Sequence, residues 1–227
     1  MLAERRQTEE LMDDPALPVE TYNALISDLA RVNRLTLAYR PTLAFLDQAL
    51  AGRDSFSLLD VGYGQGDMLR AIATWAEHQG KQAHLVGVDL NPSSLPAARK
   101  ATSASAPITY VTGDYREVEG PFDVIASSLV AHHMTSAQLS DFLRFMDANA
   151  QRGWFVNDLH RHTLSYLGWP VLAHVMGWHP IVRSDGHTSI ARSFRPGDWA
   201  TILEEAGIAG AQVARWFPFR LCVGKIR

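Results

Sequence analysis

Apolar positions along the chain follow two rhythms, and the change falls near Gly52-Arg53-Asp54. Before it the spacing is helical: Tyr22, Leu25, Ile26, Leu29 and Val32 recur at i, i+3, i+4 and i+7 and share one stripe. Asp13-Asp14-Pro15 breaks the chain ahead of this helix. Pro41 opens another, with Leu43, Phe45, Leu46 and Leu50 as its apolar face. After the change, short apolar runs alternate with helical stretches, the pattern of a parallel sheet covered on both faces. Strands are expected over 57–61, 84–90, 108–113, 122–129 and 153–158.

Local signals punctuate this alternation. Thr135-x-x-Gln138 is a capping-box pattern leading into Leu139, Phe142, Leu143 and Met146. Pro196 stands at a helix start and Gly207 just past its stop. Two last strands, 211–217 and 220–225, are joined by a very short connection containing Pro218 and should form an antiparallel hairpin. The expected organisation is a helical cap over 1–52 and an α/β domain over 53–227, with an apolar cover at 163–190.

Composition narrows the function classes. With 227 residues, 47% of them hydrophobic and 20% charged, the chain builds a substantial core. A formal net charge of -3 supplies no basic field for nucleic acid or anionic membrane. Cys222 is the only cysteine, so there is no internal disulfide and no cysteine metal cluster. The first residues lack the apolar core of a signal peptide, and no run reaches the roughly 20 residues of a membrane span. A cytoplasmic protein is the expectation.

The chemistry concentrates in Leu58-Leu-Asp-Val-Gly-Tyr-Gly-Gln-Gly-Asp-Met68, a strand running into Gly62, Gly64 and Gly66 and then a helix. Glycines at such a turn allow positive φ and let a ligand lie against bare backbone. Dinucleotide sites use Gly-x-Gly-x-x-Gly against a pyrophosphate. Here an acid, Asp60, ends the strand, which repels a pyrophosphate and suits an ammonium group such as that of a methionine moiety. The second strand ends in Asp89, a position that accepts hydrogen bonds from ribose hydroxyls, with Leu90 placed to press on adenine. The third ends in Thr112-Gly-Asp-Tyr115, where Asp114 can accept from an adenine amino group or simply cap a turn.

The series Asp60-Val-Gly-Tyr-Gly-Gln-Gly66, Val88-Asp-Leu-Asn-Pro92, Gly113-Asp-Tyr115 and Phe122-Asp-Val-Ile125 resembles, in order and spacing, motifs one to four of the class I S-adenosylmethionine-dependent methyltransferases. It is similar in particular to the small-molecule branch around the ubiquinone and menaquinone biosynthesis enzymes. The resemblance implies a Rossmann-like, mostly parallel seven-stranded sheet closed by the hairpin, with S-adenosyl-L-methionine as cofactor. It assigns Asp60, Gly62, Gly64 and Gly66 to the methionine end, Asp89 to ribose, and Leu90, Asp114 and Tyr115 to adenine, and Ser128 joins this cofactor set. Tyr63 departs from the usual small or polar residue and is expected to narrow the cofactor mouth. The alternatives are an NAD-dependent oxidoreductase or a non-catalytic cofactor-binding partner subunit.

Seven of the nine histidines fall between His132 and His187. Histidine can take a proton from an acceptor hydroxyl or enol, or ligate a metal. His160 follows the fifth strand's Asn157-Asp158-Leu159 and is the first candidate for a catalytic or positioning residue, with His133 next. His132 reads as a residue that packs near the cofactor, and Arg161 as either a phenolate stabiliser or a surface ion-pair partner. No metal is expected, because no local acidic-and-histidine spacing of metal type is present. The segment 164–179 mixes Trp, Tyr and Met with His. It suits a buried helix, a homodimer surface or, with the N-terminal helices, a pocket for a small hydrophobic or aromatic acceptor. The chain also lacks an Asn/Asp-Pro-Pro-Tyr/Phe motif after the fourth strand and a well-placed cysteine, which argues against methylation of nucleic-acid bases. The expected reaction is methyl transfer to oxygen or carbon of a phenolic, quinol or polyketide-like acceptor.

Overall fold

The computed structural model describes residues 2–14 and 16–227. The expected chain break at Pro15 lies outside the described residues. Two helices, α1 (Val19–Leu35) and α2 (Arg40–Ala49), precede the first strand. Then follow β1 (Ser55–Val61), α3 (Asp67–His78), β2 (Gln82–Asp89), α4 (Ser94–Ala101), β3 (Ile108–Thr112), β4 (Phe122–Ser128), α5 (Ser136–Asn149) and β5 (Ala150–Leu159). The chain continues through α6 (Thr163–Val175), α7 (Pro180–Arg192), α8 (Pro196–Ala206), β6 (Gln212–Trp216) and β7 (Arg220–Ile226). One seven-stranded sheet runs in the order β3-β2-β1-β4-β5-β7-β6. Its first five strands are parallel, and β7 runs antiparallel to both β5 and β6. This is the Rossmann-like architecture with a terminal hairpin.

Strand alternation builds the two faces. Leu58 pairs with Leu85 and Val124 in register. All three point into a core with Phe45 and Leu46 of α2 and Leu69 and Ile72 of α3. Their neighbours Leu59, Val86 and Ile125 point the other way, onto Phe142 and Met146 of α5 and Trp199 of α8. The central strands are thus buried on both sides and read as near-continuous apolar runs. Thr135 and Gln138 make the expected capping box at the start of α5.

A third layer lies over the carboxyl ends of the strands. Of the two N-terminal helices, α2 belongs to the sheet sandwich, whereas α1 packs with α6 and α7. Leu25 and Val32 of α1 meet Ala173, Trp178 and Val182 in a separate apolar cluster. Residues 2–14 run along α7, where Arg6 N donates to Ala191 O at 3.1 Å. Leu11 N and Met12 N both donate to the carboxylate of Asp185, at 3.0 and 2.9 Å. Among the described residues, no helix is long and apolar enough to cross a membrane.

Candidate active site

Between the strand ends and this third layer lies a cavity of about 1230 Å³. Its floor is the glycine turn and its roof is apolar, with Leu25, Leu29, Trp169, Leu172 and Val182. At the floor, Gly62 and Gly66 adopt φ of 81° and 75°. A Cβ on Gly62 would run into Val130, and one on Gly66 into the Tyr110 ring. Glycine is therefore required at both, by conformation and by space. Gly62 and Gly64 line the cavity, whereas Gly66 works from behind its wall as the first residue capping α3.

Asp60 is 2% exposed, and its Oδ1 has no hydrogen-bond partner. Burial, reinforced by the nearby Asp67 and Asp89 carboxylates, pushes its carboxyl up to about 8. Such a group is stabilised in its charged form by a cation brought beside it. Asp89 is held at the end of β2 by Gly64 N, 2.8 Å from Oδ2, and Asn91 N, 2.9 Å from Oδ1. Burial raises its pKa and these backbone donors oppose the rise. Leu90 projects at the cavity rim, 75% exposed. Tyr115 and Ser128 also line the cavity, and Tyr115 packs edge-on against Phe142 and Phe145.

Two sequence expectations take a different form here. Asp114 is absent from the cavity lining. Its carboxylate caps the short turn at Tyr115–Glu117 and pairs with Arg116 at 2.5 Å. Tyr63 lines the cavity, but its ring is 3% exposed and packs 4.8 Å from Tyr110.

The histidines sort by role. His162 and His179 accept from Leu164 N and Ile181 N and cap α6 and α7. His187 stacks on Tyr166, and His174 meets Arg183. Three of the remaining five, His132, His133 and His160, line the cavity. Burial, with the charges of His162 and nearby arginines, lowers His160 to about 4, so its imidazole is neutral near pH 7. His133 Nδ1 lies 3.0 Å from Asp13. Arg161 is neither a phenolate stabiliser nor a surface group. Its buried guanidinium donates to Ser193 O at 2.9 Å and pairs with Asp198 at 3.0 Å.

Several groups at the cavity were invisible in the sequence. His132 is buried between Asp158, 2.7 Å away, and Glu10, 3.5 Å away. Burial opposes its charge, but the two carboxylates outweigh that and lift it to about 9. Glu10 stands far from the histidines in sequence, so no local spacing announces the cluster of Glu10, His132 and His133. Arg220, at the start of β7, is fully buried, and its Nη1 has no partner. Asn33 links it to the floor, receiving from Arg220 Nη2 at 3.3 Å and donating to Asp67 at 3.0 Å. Cys222 is buried in β7 with its thiol pushed up to about 12, which leaves it inert.

Comparison with known proteins points one way. Residues 58–153 match the family described as the methyltransferase domain. An uncharacterized methyltransferase of Synechocystis sp. is 29% identical over 127 residues, covering 55% of this chain and 56% of that protein. The chain thus matches about half the length of this curated relative. Magnesium protoporphyrin IX methyltransferase from Synechocystis PCC 6803, solved with bound SAH, aligns at TM-score 0.59 and 18% identity, covering 94% of this chain and 90% of that one. The plantazolicin methyltransferase BpumL, solved with a triazolic desmethylPZN analog and SAH, aligns at TM-score 0.66 and 14% identity, over 92% and 97% of the two chains. Human N-acetylserotonin methyltransferase, solved with SAM, aligns at 0.65 and 14%, over 92% of this chain and 56% of that one. At these identities the solved structures establish the fold.

Proposed function

We propose that this chain is a class I S-adenosylmethionine-dependent methyltransferase and that it methylates oxygen or carbon of a small hydrophobic acceptor. The observation that carries this reading is the size of this cavity. At about 1230 Å³ it exceeds the roughly 300–1,000 Å³ of a typical one-ligand pocket. It therefore has room for a donor at the glycine turn and an acceptor under the roof.

The donor end suits an amino acid attached to a nucleoside. Asp60 offers its unpartnered, buried Oδ1 to an ammonium, and Arg220 its unpartnered, buried Nη1 to a carboxylate. Asp89 takes the ribose, Leu90 and Tyr115 the adenine, and Gly62, Gly64 and Ser128 bare or small surface beside the donor. Gly66 starts α3, and in this reading Asp114 turns from Arg116 to the adenine amino group.

The bound sulfonium supplies an electrophilic methyl group, so the chain's main work is alignment. Holding two reactants in line can lower a barrier by roughly 7–11 kcal/mol. The apolar roof orients the acceptor and excludes water. His160, neutral and on the cavity wall, receives the acceptor's proton, with His133 the next candidate. A base in such a position contributes about 10²–10⁴-fold in rate.

Parallel titrations with S-adenosylmethionine and NAD, followed by turnover on a phenol and quinol panel read by mass spectrometry, test the reading. Binding of S-adenosylmethionine together with a product 14 mass units heavier is the expected result. Binding of NAD alone, or cofactor binding with no methylated product from the panel or the host's small-molecule extract, overturns it.

A further inference from the structure

Just after β4, the cavity wall holds a group of side chains that methyl transfer by alignment does not require. His132 places Nδ1 2.7 Å from Asp158 and turns Nε2 toward Glu10 Oε1, 3.5 Å away. His133 repeats the arrangement, with Nδ1 3.0 Å from Asp13 and Nε2 3.9 Å from Glu10 Oε2. The inner donor atoms of Glu10, His132 and His133 all lie within 4.8 Å of one another. Each imidazole thus fixes its outer nitrogen on a carboxylate and presents its inner nitrogen to a third. A divalent cation placed among these three inner donor atoms would engage Glu10, His132 and His133 at once.

The wider setting agrees. Metal-bound histidines almost always give their other nitrogen to a carboxylate or carbonyl. Ligands about 2.0–2.1 Å from a tetrahedral metal sit about 3.3 Å from one another, so the cluster needs only a modest contraction. Glu10 is fixed independently by Ser189 Oγ, which donates to Oε1 at 2.8 Å. The surrounding charges are Asp13 and Asp158 against Arg192 and Arg5, whose guanidinium groups bond the carbonyls of His132 and its neighbours.

We propose that Glu10, His132 and His133 form a transition-metal site of the zinc or ferrous class, open to the acceptor cavity in its remaining position. Two histidines and one carboxylate with an open position form a donor set known from zinc hydrolases and non-haem iron sites. The metal pins residues 2–14 over the cavity. It also polarises an acceptor oxygen as a Lewis acid. That second role rests on the methyl-transfer reading, whereas metal binding does not.

The full-length protein, stripped with a chelator, is titrated with Zn²⁺ by calorimetry and with Co²⁺ by visible absorption. One equivalent should bind, with a cobalt d–d spectrum that zinc abolishes. Asp13→Asn keeps the three ligands but removes the outer partner of His133, and should weaken binding roughly 10–100-fold. His133→Ala and Glu10→Gln should weaken it further and erase the cobalt spectrum. S-adenosylmethionine affinity, measured on every variant, reports folding. No stoichiometric uptake by protein that still binds S-adenosylmethionine overturns the site, as does equal uptake by His133→Ala and Glu10→Gln. Stoichiometric uptake with phenol turnover unchanged by the metal supports the site and overturns its role on the acceptor. Uptake with no methylation under any condition supports the site and counts against the methyl-transfer reading alone.

Discussion

Asp60, Gly62, Gly64 and Asp89, at the floor of the cavity, come from two consecutive strands and the turn between them. The residues of the roof and side wall come from segments far apart: Glu10 and Asp13 ahead of the first helix, Leu25 within it, His132 after β4, Leu159 at the end of β5, and Trp169 and Asp185 in α6 and α7. Backbone bonds hold the floor in place, such as Gly62 N to Val88 O at 2.8 Å. Side chains reaching across the molecule hold the roof, such as Asp185 gripping Leu11 N and Met12 N. A site made by one turn is rigid and general. A site made by convergence of segments is where the acceptor is chosen and where motion belongs.

The comparison breaks most severely if the roof is removed. Deleting residues 1–34 takes away Leu25 and Glu10 but leaves the strand ends. It should abolish turnover while preserving measurable S-adenosylmethionine binding. Full activity in a stable truncated protein contradicts the cap. Next, His160→Gln should lower kcat roughly 10²–10⁴-fold with cofactor affinity unchanged. Near-normal turnover would reduce His160 to orientation and pass the proton to His133.

On the floor the effects are smaller and fall on binding. Asp89→Ala removes charge-assisted bonds of roughly 1.5–3 kcal/mol each and should weaken cofactor affinity about 10- to 100-fold by calorimetry. Unchanged affinity in the folded variant removes Asp89 from the ribose. Asp60 makes the floor sensitive to pH. Its carboxyl is pushed up to about 8, so in the free protein it carries a proton that an arriving ammonium must displace. Affinity should therefore rise from pH 6 to 8 by up to about tenfold per unit and then level off. The same raised value makes the cofactor-free fold lose stability as pH climbs from 3.8 toward 8, because the native state keeps a proton that the unfolded chain has released. A flat affinity profile would separate Asp60 from the ammonium. The smallest expected effect is at Arg116, whose exposed pairing holds Asp114 away from the cavity. Arg116→Ala should tighten cofactor binding no more than a few-fold. No change leaves Asp114 as a turn cap.

The same divide explains what the sequence revealed. Asp60, the glycines and Asp89 were legible because strand, turn and helix are fixed by neighbours a few residues apart. The buried strands announced themselves as apolar runs, and Thr135 with Gln138 as a cap. Arg161 reads as either a phenolate stabiliser or a surface ion-pair partner until the fold buries it against Ser193 and Asp198. His162 and His179 look like chemistry and serve as helix caps. Glu10 carries no local mark at all: it becomes part of the cavity only because α7 draws residues 2–14 along its length. Arg220 was hidden for the same reason, since its unpaired Nη1 is a property of the closed cavity and not of the hairpin that carries it.

Helix α1 touches the floor as well as the roof. Ser27 Oγ receives from Gln65 of the glycine turn at 2.9 Å, Tyr22 shares a hydrogen bond of 2.7 Å with Ser94 after β2, and Asn33 donates to Asp67 at the start of α3. The helix is latched to the elements that would embrace the spent cofactor. If release of the spent cofactor requires α1 to move, these three hydrogen bonds must break on every cycle, and their opening rate would then cap turnover.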